Sequence, residues 1–101
     1  MEQQRLTQAE HAVLMWSILV LAARNQQIIS YAAIEGFTGI DRIGQNQALG
    51  LIQSYCKRRS WPFLNCLVVS QVTGLPGEEF REKMDPVQIL TEQAKVFVFD
   101  W

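Results

Sequence analysis

The longest apolar run of the chain is "AVLMWSILVLAA", from Ala12 to Ala23, and it follows a polar segment that can begin a helix. Thr7 and Glu10 have the three-residue spacing of a capping box. The pattern predicts a long first helix that ends near Asn25. It is apolar on nearly all sides, so part of its surface is expected to be buried either inside its own domain or against a second copy in a homodimer.

Two more helices are predicted before residue 60. Ser30 can cap a short helix over Tyr31–Phe37, which Thr38-Gly39 ends. A longer helix is expected from about Gln45 to Arg59, because apolar residues recur there at spacings of three and four and define one buried face. These apolar positions are Ala48, Leu49, Leu51, Ile52, Tyr55 and Cys56. Pro62 keeps the helix from continuing, since the residue before a proline disfavours the helical conformation.

The remaining third of the chain predicts a strand, a turn and a last helix. Leu64–Ser70 is rich in the β-branched and apolar residues of a strand, and Thr73–Gly77 has the glycines and proline of a tight turn. Asp85-Pro86 is a strong helix start, with an N-cap followed by proline. Val96–Phe99 fits either the end of this helix or a terminal strand.

The order of these elements predicts an α+β fold. A short helix and a longer helix joined by a glycine-containing turn, followed by a β-hairpin, are the layout of a winged helix-turn-helix. We therefore predict one domain, residues 1–101, with a long N-terminal helix, a winged helix-turn-helix-like centre, a β-hairpin and a C-terminal helix.

Composition supports a folded protein and says little about its partner. The chain has 101 residues, of which 49% are hydrophobic and 19% charged, and its net charge is −1. Residues 41–75 carry a net +3 and residues 76–101 a net −3. The absence of an overall positive charge argues against strong non-specific DNA binding. The apolar run is shorter than the roughly 20 residues of a membrane span, so we expect no membrane partner. The two isolated cysteines are typical of reduced, buried residues in a cytoplasmic protein.

The residues for metal or covalent chemistry are few. The chain has two cysteines, Cys56 and Cys66, and one histidine, His11. A closed zinc site needs about four such ligands, and a Ser-His-Asp triad cannot be assembled around a histidine in the first helix. We therefore predict no metal, no cofactor and no enzymatic activity.

Residues 28–69, beginning "IISYAAIEGFTGI", resemble in layout the DNA-binding half of the alkylguanine alkyltransferase-like proteins. That family has an Ile-Ser-Tyr entry, a helix-turn-helix, a proline-containing segment and a strand that ends in valines. Its proline-cysteine-histidine-arginine motif is missing here, because Pro62 is followed by Phe63, Leu64 and Asn65 before Cys66. The resemblance implies a DNA-binding fold without alkyl transfer.

A second stretch, "LGLIQSYCKRRSWPFLNCLVVSQVTGLPGEEF" with the terminal "VFVFDW", resembles a small bacterial module of phage, mobile-element and defence-associated proteins. The module has the pattern LG, YC, PxL, LVV, TGxPGxF and DW. The matching residues are Leu49, Gly50, Tyr55, Cys56, Pro62, Leu64, Leu67, Val68, Val69, Thr73, Gly74, Pro76, Gly77, Phe80, Asp100 and Trp101. This resemblance indicates relatives and implies no reaction.

The third predicted helix carries the candidate DNA-contacting residues. Amide side chains at its start could pair with adenine edges in a major groove, and the cations at its end could neutralise phosphates. The candidates are Arg42, Gln45, Asn46, Gln47, Gln53, Lys57, Arg58 and Arg59. The competing interpretation is an ordinary polar face with cations that suit the helix dipole. We favour a small protein that binds double-stranded DNA through a helix-turn-helix and a wing, as a homodimer through its first helix.

The alternative function is protein binding, as an inhibitor, immunity or adaptor module in a phage-host or toxin conflict. An aromatic patch at Trp61 and Phe63 and the acidic residues Glu78, Glu79 and Glu82 would then meet the partner. The aromatic residues could instead be core, and the acidic ones a solvated surface.

Overall fold

The computed structural model describes residues 6–77 and 84–101, in which helices dominate and two short strands form a parallel pair. This agrees with the predicted α+β class. The elements are α1 (Gln8–Arg24), β1 (Ile29–Ser30), α2 (Tyr31–Thr38), α3 (Arg42–Arg59), a 3₁₀ turn (Leu64–Leu67), β2 (Val68–Val69) and α4 (Pro86–Val98).

The predicted starts of α1 and α4 are confirmed by their caps. The Thr7 hydroxyl accepts a hydrogen bond from the Glu10 backbone N–H, and the Glu10 carboxylate accepts one from the Thr7 backbone N–H. Asp85 and Gln88 form the same reciprocal arrangement at the start of α4, with Pro86 at the first helical position. Each box satisfies backbone donors that have no partner inside the helix.

The strands differ from the predicted β-hairpin. β2 pairs with β1 in parallel, with Ile29 opposite Val68 and Ser30 opposite Val69. Most of the predicted strand over Leu64–Ser70 is a buried 3₁₀ turn, and only two residues of it are extended. Within the described ranges β2 has no antiparallel partner, and residues 70–77 form a loop instead of the second arm of a hairpin.

The core lies around α1, which packs against α3, the 3₁₀ turn and α4. Met15, Leu19 and Ala23 form the buried stripe of α1. Opposite them lie the buried side chains of α3 and of the following segment, which are Ala48, Ile52, Cys56, Leu64, Leu67 and Val68. The question left open at Val96–Phe99 is answered by α4, which remains helical through Val98 and buries Val96 in this core.

Candidate nucleic-acid interface

A three-residue turn joins α2 to α3. Gly39 ends α2 in the left-handed conformation, with φ of 75°, which glycine adopts without a steric penalty. Ile40 is buried, and its backbone N–H donates to the Thr38 hydroxyl. Asp41 then caps α3 by accepting a hydrogen bond from the Gly44 backbone N–H at 2.8 Å. The predicted start of α3 near Gln45 is therefore corrected to Arg42, one turn earlier.

One side of α3 is buried and the other is an exposed polar face. We call this the α3 face and define it by Asn46, Gln47, Ser54, Lys57 and Arg58, all of which are exposed. In a helix with 3.6 residues per turn these positions lie on one side. Gly50 lies in the middle of the face. Amide side chains thus lie near the start of the helix, and cations lie at its end.

The prediction that Gln45 contacts DNA is wrong, because its side chain is fully buried, with 0% of its surface exposed. Its Nε2 donates hydrogen bonds to the backbone carbonyl oxygens of Tyr31, at 3.0 Å, and Ile40, at 2.9 Å. A side chain enclosed in this way cannot reach a base edge. Gln45 instead holds the beginning of α2 and the turn against α3.

Gln53 is half-buried, and its Oε1 accepts a hydrogen bond from Asn65 Nδ2 at 2.9 Å. This contact fixes the segment after α3 and leaves the side chain less free than its neighbours to bind a ligand. It also contributes a partner to Asn65, a polar side chain that is buried at the end of the core.

Two arginines of the predicted set pack on aromatic rings. The Arg42 guanidinium lies 4.0 Å from the centre of the Tyr31 ring, and that of Arg59 lies 4.8 Å from the Tyr55 ring and 5.4 Å from the Trp61 ring. Such cation–π contacts hold each guanidinium in place while its outer N–H groups stay exposed. Lys57 and Arg58 make no ion pair within residues 6–77 and 84–101.

The glycine-rich loop after β2 returns towards the start of α2 and α3. Its turn is closed by two backbone hydrogen bonds, from Gly74 N–H to the Ser70 carbonyl and from Ser70 N–H to the Leu75 carbonyl. A Cβ atom at Gly77 would lie 2.7 Å from the Tyr31 hydroxyl oxygen and 3.9 Å from Asn46 Oδ1. Glycine at position 77 therefore allows the loop to approach beside the first turns of α3.

An apolar groove of about 720 Å³ runs between α1, α3 and the C-terminal residues. It is lined by an aromatic cluster in which Trp61 contacts four other rings, at centroid distances from 5.5 to 6.4 Å. Those four are Trp16, Tyr55, Phe99 and Trp101. All five rings are half-buried. The three tryptophans of the chain thus share one surface, which the sequence did not reveal because they are far apart along it.

The predicted protein-binding residues are only partly brought together. Trp61 lies in the groove, and Phe63 is half-buried, with its backbone N–H donating to the Glu92 carboxylate at 2.8 Å. Glu78, Glu79 and Glu82 lie outside the described residues.

The two thiols are buried and unreactive in character. Burial raises the pKa of Cys56, and burial with the nearby Glu92 carboxylate raises that of Cys66 well above its usual range. Cys66 belongs to the 3₁₀ turn and is fully buried, and the Gln93 side-chain amide of α4 donates to its backbone carbonyl at 2.9 Å. At each sulfur a backbone hydrogen bond favours the thiolate, but burial outweighs it, so neither thiol is activated as a nucleophile or metal ligand.

We expect neither native thiol to react with a disulfide reagent near neutral pH, whereas both should react after unfolding in guanidinium. The pKa values of both cysteines in the folded protein lie above the unfolded value of about 8.5, so the free energy of unfolding is not reduced by thiol ionisation below that pH. Above it, the unfolded chain ionises first and the free energy of unfolding decreases as the pH rises. The measurement is a thiol titration, with Ser54→Cys on the α3 face as the positive control. A fast native reaction without that added cysteine would show that one of the two sites is open.

Within the part of the chain that the structure describes, no helix has both the length and the apolar character to cross a bilayer. There too, no three His, Cys, Asp or Glu side chains are grouped so as to hold a metal ion. No family model, no curated protein and no solved structure matches the chain.

Proposed function

We propose that this chain is a small DNA-binding protein of helix-turn-helix type, with α3 as the reading helix. The observation that supports this most strongly is the α3 face, on which Asn46 and Gln47 occupy the first turns and Lys57 and Arg58 the last. In helix-turn-helix proteins, residues near the start of the second helix contact base edges in the major groove. Asn and Gln can form paired hydrogen bonds with adenine, and Lys and Arg neutralise phosphates.

The turn between α2 and α3 also supports the proposal. It contains three residues with glycine in the left-handed conformation, which matches the short, glycine-containing turn of this motif. The buried Gln45 amide donates to the first residue of α2 and to the turn, which ties both to α3. A fixed relation between the two helices lets one contact the DNA backbone while the other enters the groove.

The loop from Ser70 to Gly77 takes the place of the wing in this proposal. It lies next to Tyr31 and Asn46, on the side where α3 begins. Residues 70–77 carry no charged side chain, so a contact from this loop would be made by backbone groups or by Gln71 and Thr73. Its share of the affinity is therefore expected to depend little on salt.

Gly50→Ala is expected to raise the free energy of unfolding by about 0.5–1 kcal/mol and to weaken DNA binding. A glycine inside a helix costs about that much relative to alanine, and nothing lies within 4 Å of the Cβ position at Gly50. A glycine that the fold does not require, in the centre of the α3 face, fits a surface that another molecule approaches closely. Chemical denaturation and a DNA-binding titration measure the two effects.

Gly36→Ala is the matched control, since Gly36 is exposed in α2 and also has nothing within 4 Å of its Cβ position. It should stabilise the fold to a similar extent and leave the affinity for DNA nearly unchanged. Equal effects of the two substitutions on binding would show that close approach at Gly50 plays no part.

The second candidate function is protein binding, and the aromatic groove favours it. Apolar clefts with aromatic walls and an Arg at the rim are typical of sites that bind a partner's side chains. Arg58 lines this groove as well as belonging to the α3 face. An Arg58 variant that loses binding therefore does not distinguish DNA binding from protein binding. A Lys57 variant does distinguish them, because Lys57 does not line the groove.

A further inference from the structure

The outer face of α1 is apolar in its centre and charged at its two ends. Val13 and Leu21 have 69% and 63% of their surface exposed, and Leu14 has 36%. Ser17 lies between them, and it is also exposed. Glu10 lies in the first turn and Arg24 in the last. With 3.6 residues per turn, all six residues share the side of α1 opposite its buried stripe.

The order of these residues is self-complementary about Ser17. If a second α1 lies antiparallel with its Ser17 opposite this one, Val13 of each copy faces Leu21 of the other. Glu10 of each copy then faces Arg24 of the other. The small serine at the centre permits close approach of the two backbones, and a two-fold axis repeats every contact.

We propose that the outer face of α1 is a two-fold interface with a second copy of this chain, centred on Ser17. A second copy is favoured over an unrelated partner because the same helix supplies both members of each apolar pair and both members of each ion pair. Arg24 keeps donors for this contact although its Nη2 already donates to the Trp101 carbonyl oxygen, since a guanidinium has five N–H groups.

The apolar surface also continues beyond α1. Val13 and Ser17 line the aromatic groove, whose far wall includes the exposed Leu51. A second α1 lying on the first would therefore cover part of the groove edge as well. An interface made of two α1 helices and the adjoining edge of the groove buries a small area for a specific interface, so we expect a dimer of micromolar affinity. None of the six α1 residues of this interface belongs to α2 or to the α3 face, so the dimer and DNA binding can be tested separately.

The register is tested with two charged variants, Val13→Glu and Leu21→Lys, examined alone and mixed by sedimentation equilibrium over the micromolar range. Alone, each variant places an unpaired charge against an apolar side chain twice per dimer, and self-association should weaken at least about tenfold. In the mixture, one Val13→Glu chain and one Leu21→Lys chain form one Glu–Lys pair and one Leu–Val pair. The mixture should therefore regain a heterodimer.

Val87→Glu is the matched control, because Val87 is 71% exposed but belongs to α4. It should leave the self-association of the chain unchanged, and circular dichroism confirms that all three variants fold. A wild-type chain that is monomeric throughout the range would overturn the interface. A dimer that survives both single variants would also overturn it, and so would a mixture in which the two variants fail to associate, since the register would then be wrong.

Discussion

Replacing Gln45 with alanine is expected to lower the free energy of unfolding by about 2–4 kcal/mol. The side chain is fully buried, and its Nε2 holds the carbonyl oxygens of Tyr31 and Ile40. Alanine removes that donor from both oxygens and leaves a cavity where the rest of the side chain was. Leaving a buried polar group without its partner costs more free energy than the hydrogen bond contributed. We therefore expect the free energy of unfolding to be sensitive to substitution of Gln45.

Urea denaturation of three variants separates the causes. Gln45→Met retains most of the volume and removes the two hydrogen bonds, so its loss of stability should be smaller than that of Gln45→Ala. Gln47→Ala, two residues further along α3 and exposed, should change the stability by less than about 0.5 kcal/mol. If Gln45→Ala were as stable as Gln47→Ala, the buried placement of Gln45 would be wrong.

Reversing the charge of both Lys57 and Arg58 to Glu is expected to weaken duplex DNA binding by about 100-fold or more at low salt. Each cation that neutralises a phosphate adds about −0.9 to the slope of log affinity against log salt. Losing two should therefore flatten that slope by about 2. We omit Arg59 from the variant because its guanidinium packs on Tyr55 and Trp61, so that its replacement would also disturb the aromatic cluster.

The matched comparison is Lys57→Glu against Lys95→Glu, which change the net charge of the protein equally. Lys95 lies on α4, where it pairs with Glu92 at 4.0 Å, away from the α3 face. We expect Lys57→Glu to reduce both affinity and salt slope, and Lys95→Glu to alter them little. Equal losses would indicate an effect of overall charge and would remove the specific role of the α3 face.

The limits of α1 and α2 and the start of α4 could be predicted well because local chemistry decides them, whereas the Asp41 cap that begins α3 one turn before Gln45 was overlooked. The capping boxes at Thr7 and Asp85, the Ser30 cap and the left-handed Gly39 all have short-range sequence signals. The parallel pairing of β1 with β2 could not be predicted in this way. It joins segments about forty residues apart through only two residue pairs, and such pairing depends on how α2 and α3 cross between them.

The exposure of Asn46, Gln47, Lys57 and Arg58 agrees with the predicted polar face of α3, and Gln45 shows where the reasoning failed. Its amide suggested an exposed reading residue. Yet Gln45 lies three and four residues before Ala48 and Leu49, and seven before Ile52, so its position belongs to the buried stripe. Here position along the helix decides burial, and the polar side chain is accommodated because two backbone carbonyls lie within its reach. The aromatic groove had no comparable signal, since its residues meet only after folding.

The most direct test of DNA binding by α3 is the fluorescence anisotropy of a labelled mixed-sequence duplex titrated with the wild-type chain at two salt concentrations. Phosphate contacts by Lys57, Arg58 and the exposed guanidinium of Arg59, three per copy, predict binding that weakens roughly 40-fold between about 50 and about 200 mM salt. Salt-sensitive binding of that order is the result we expect. No binding even at the lower salt concentration would contradict it, and the aromatic groove would then be the surface on which to look for a protein partner.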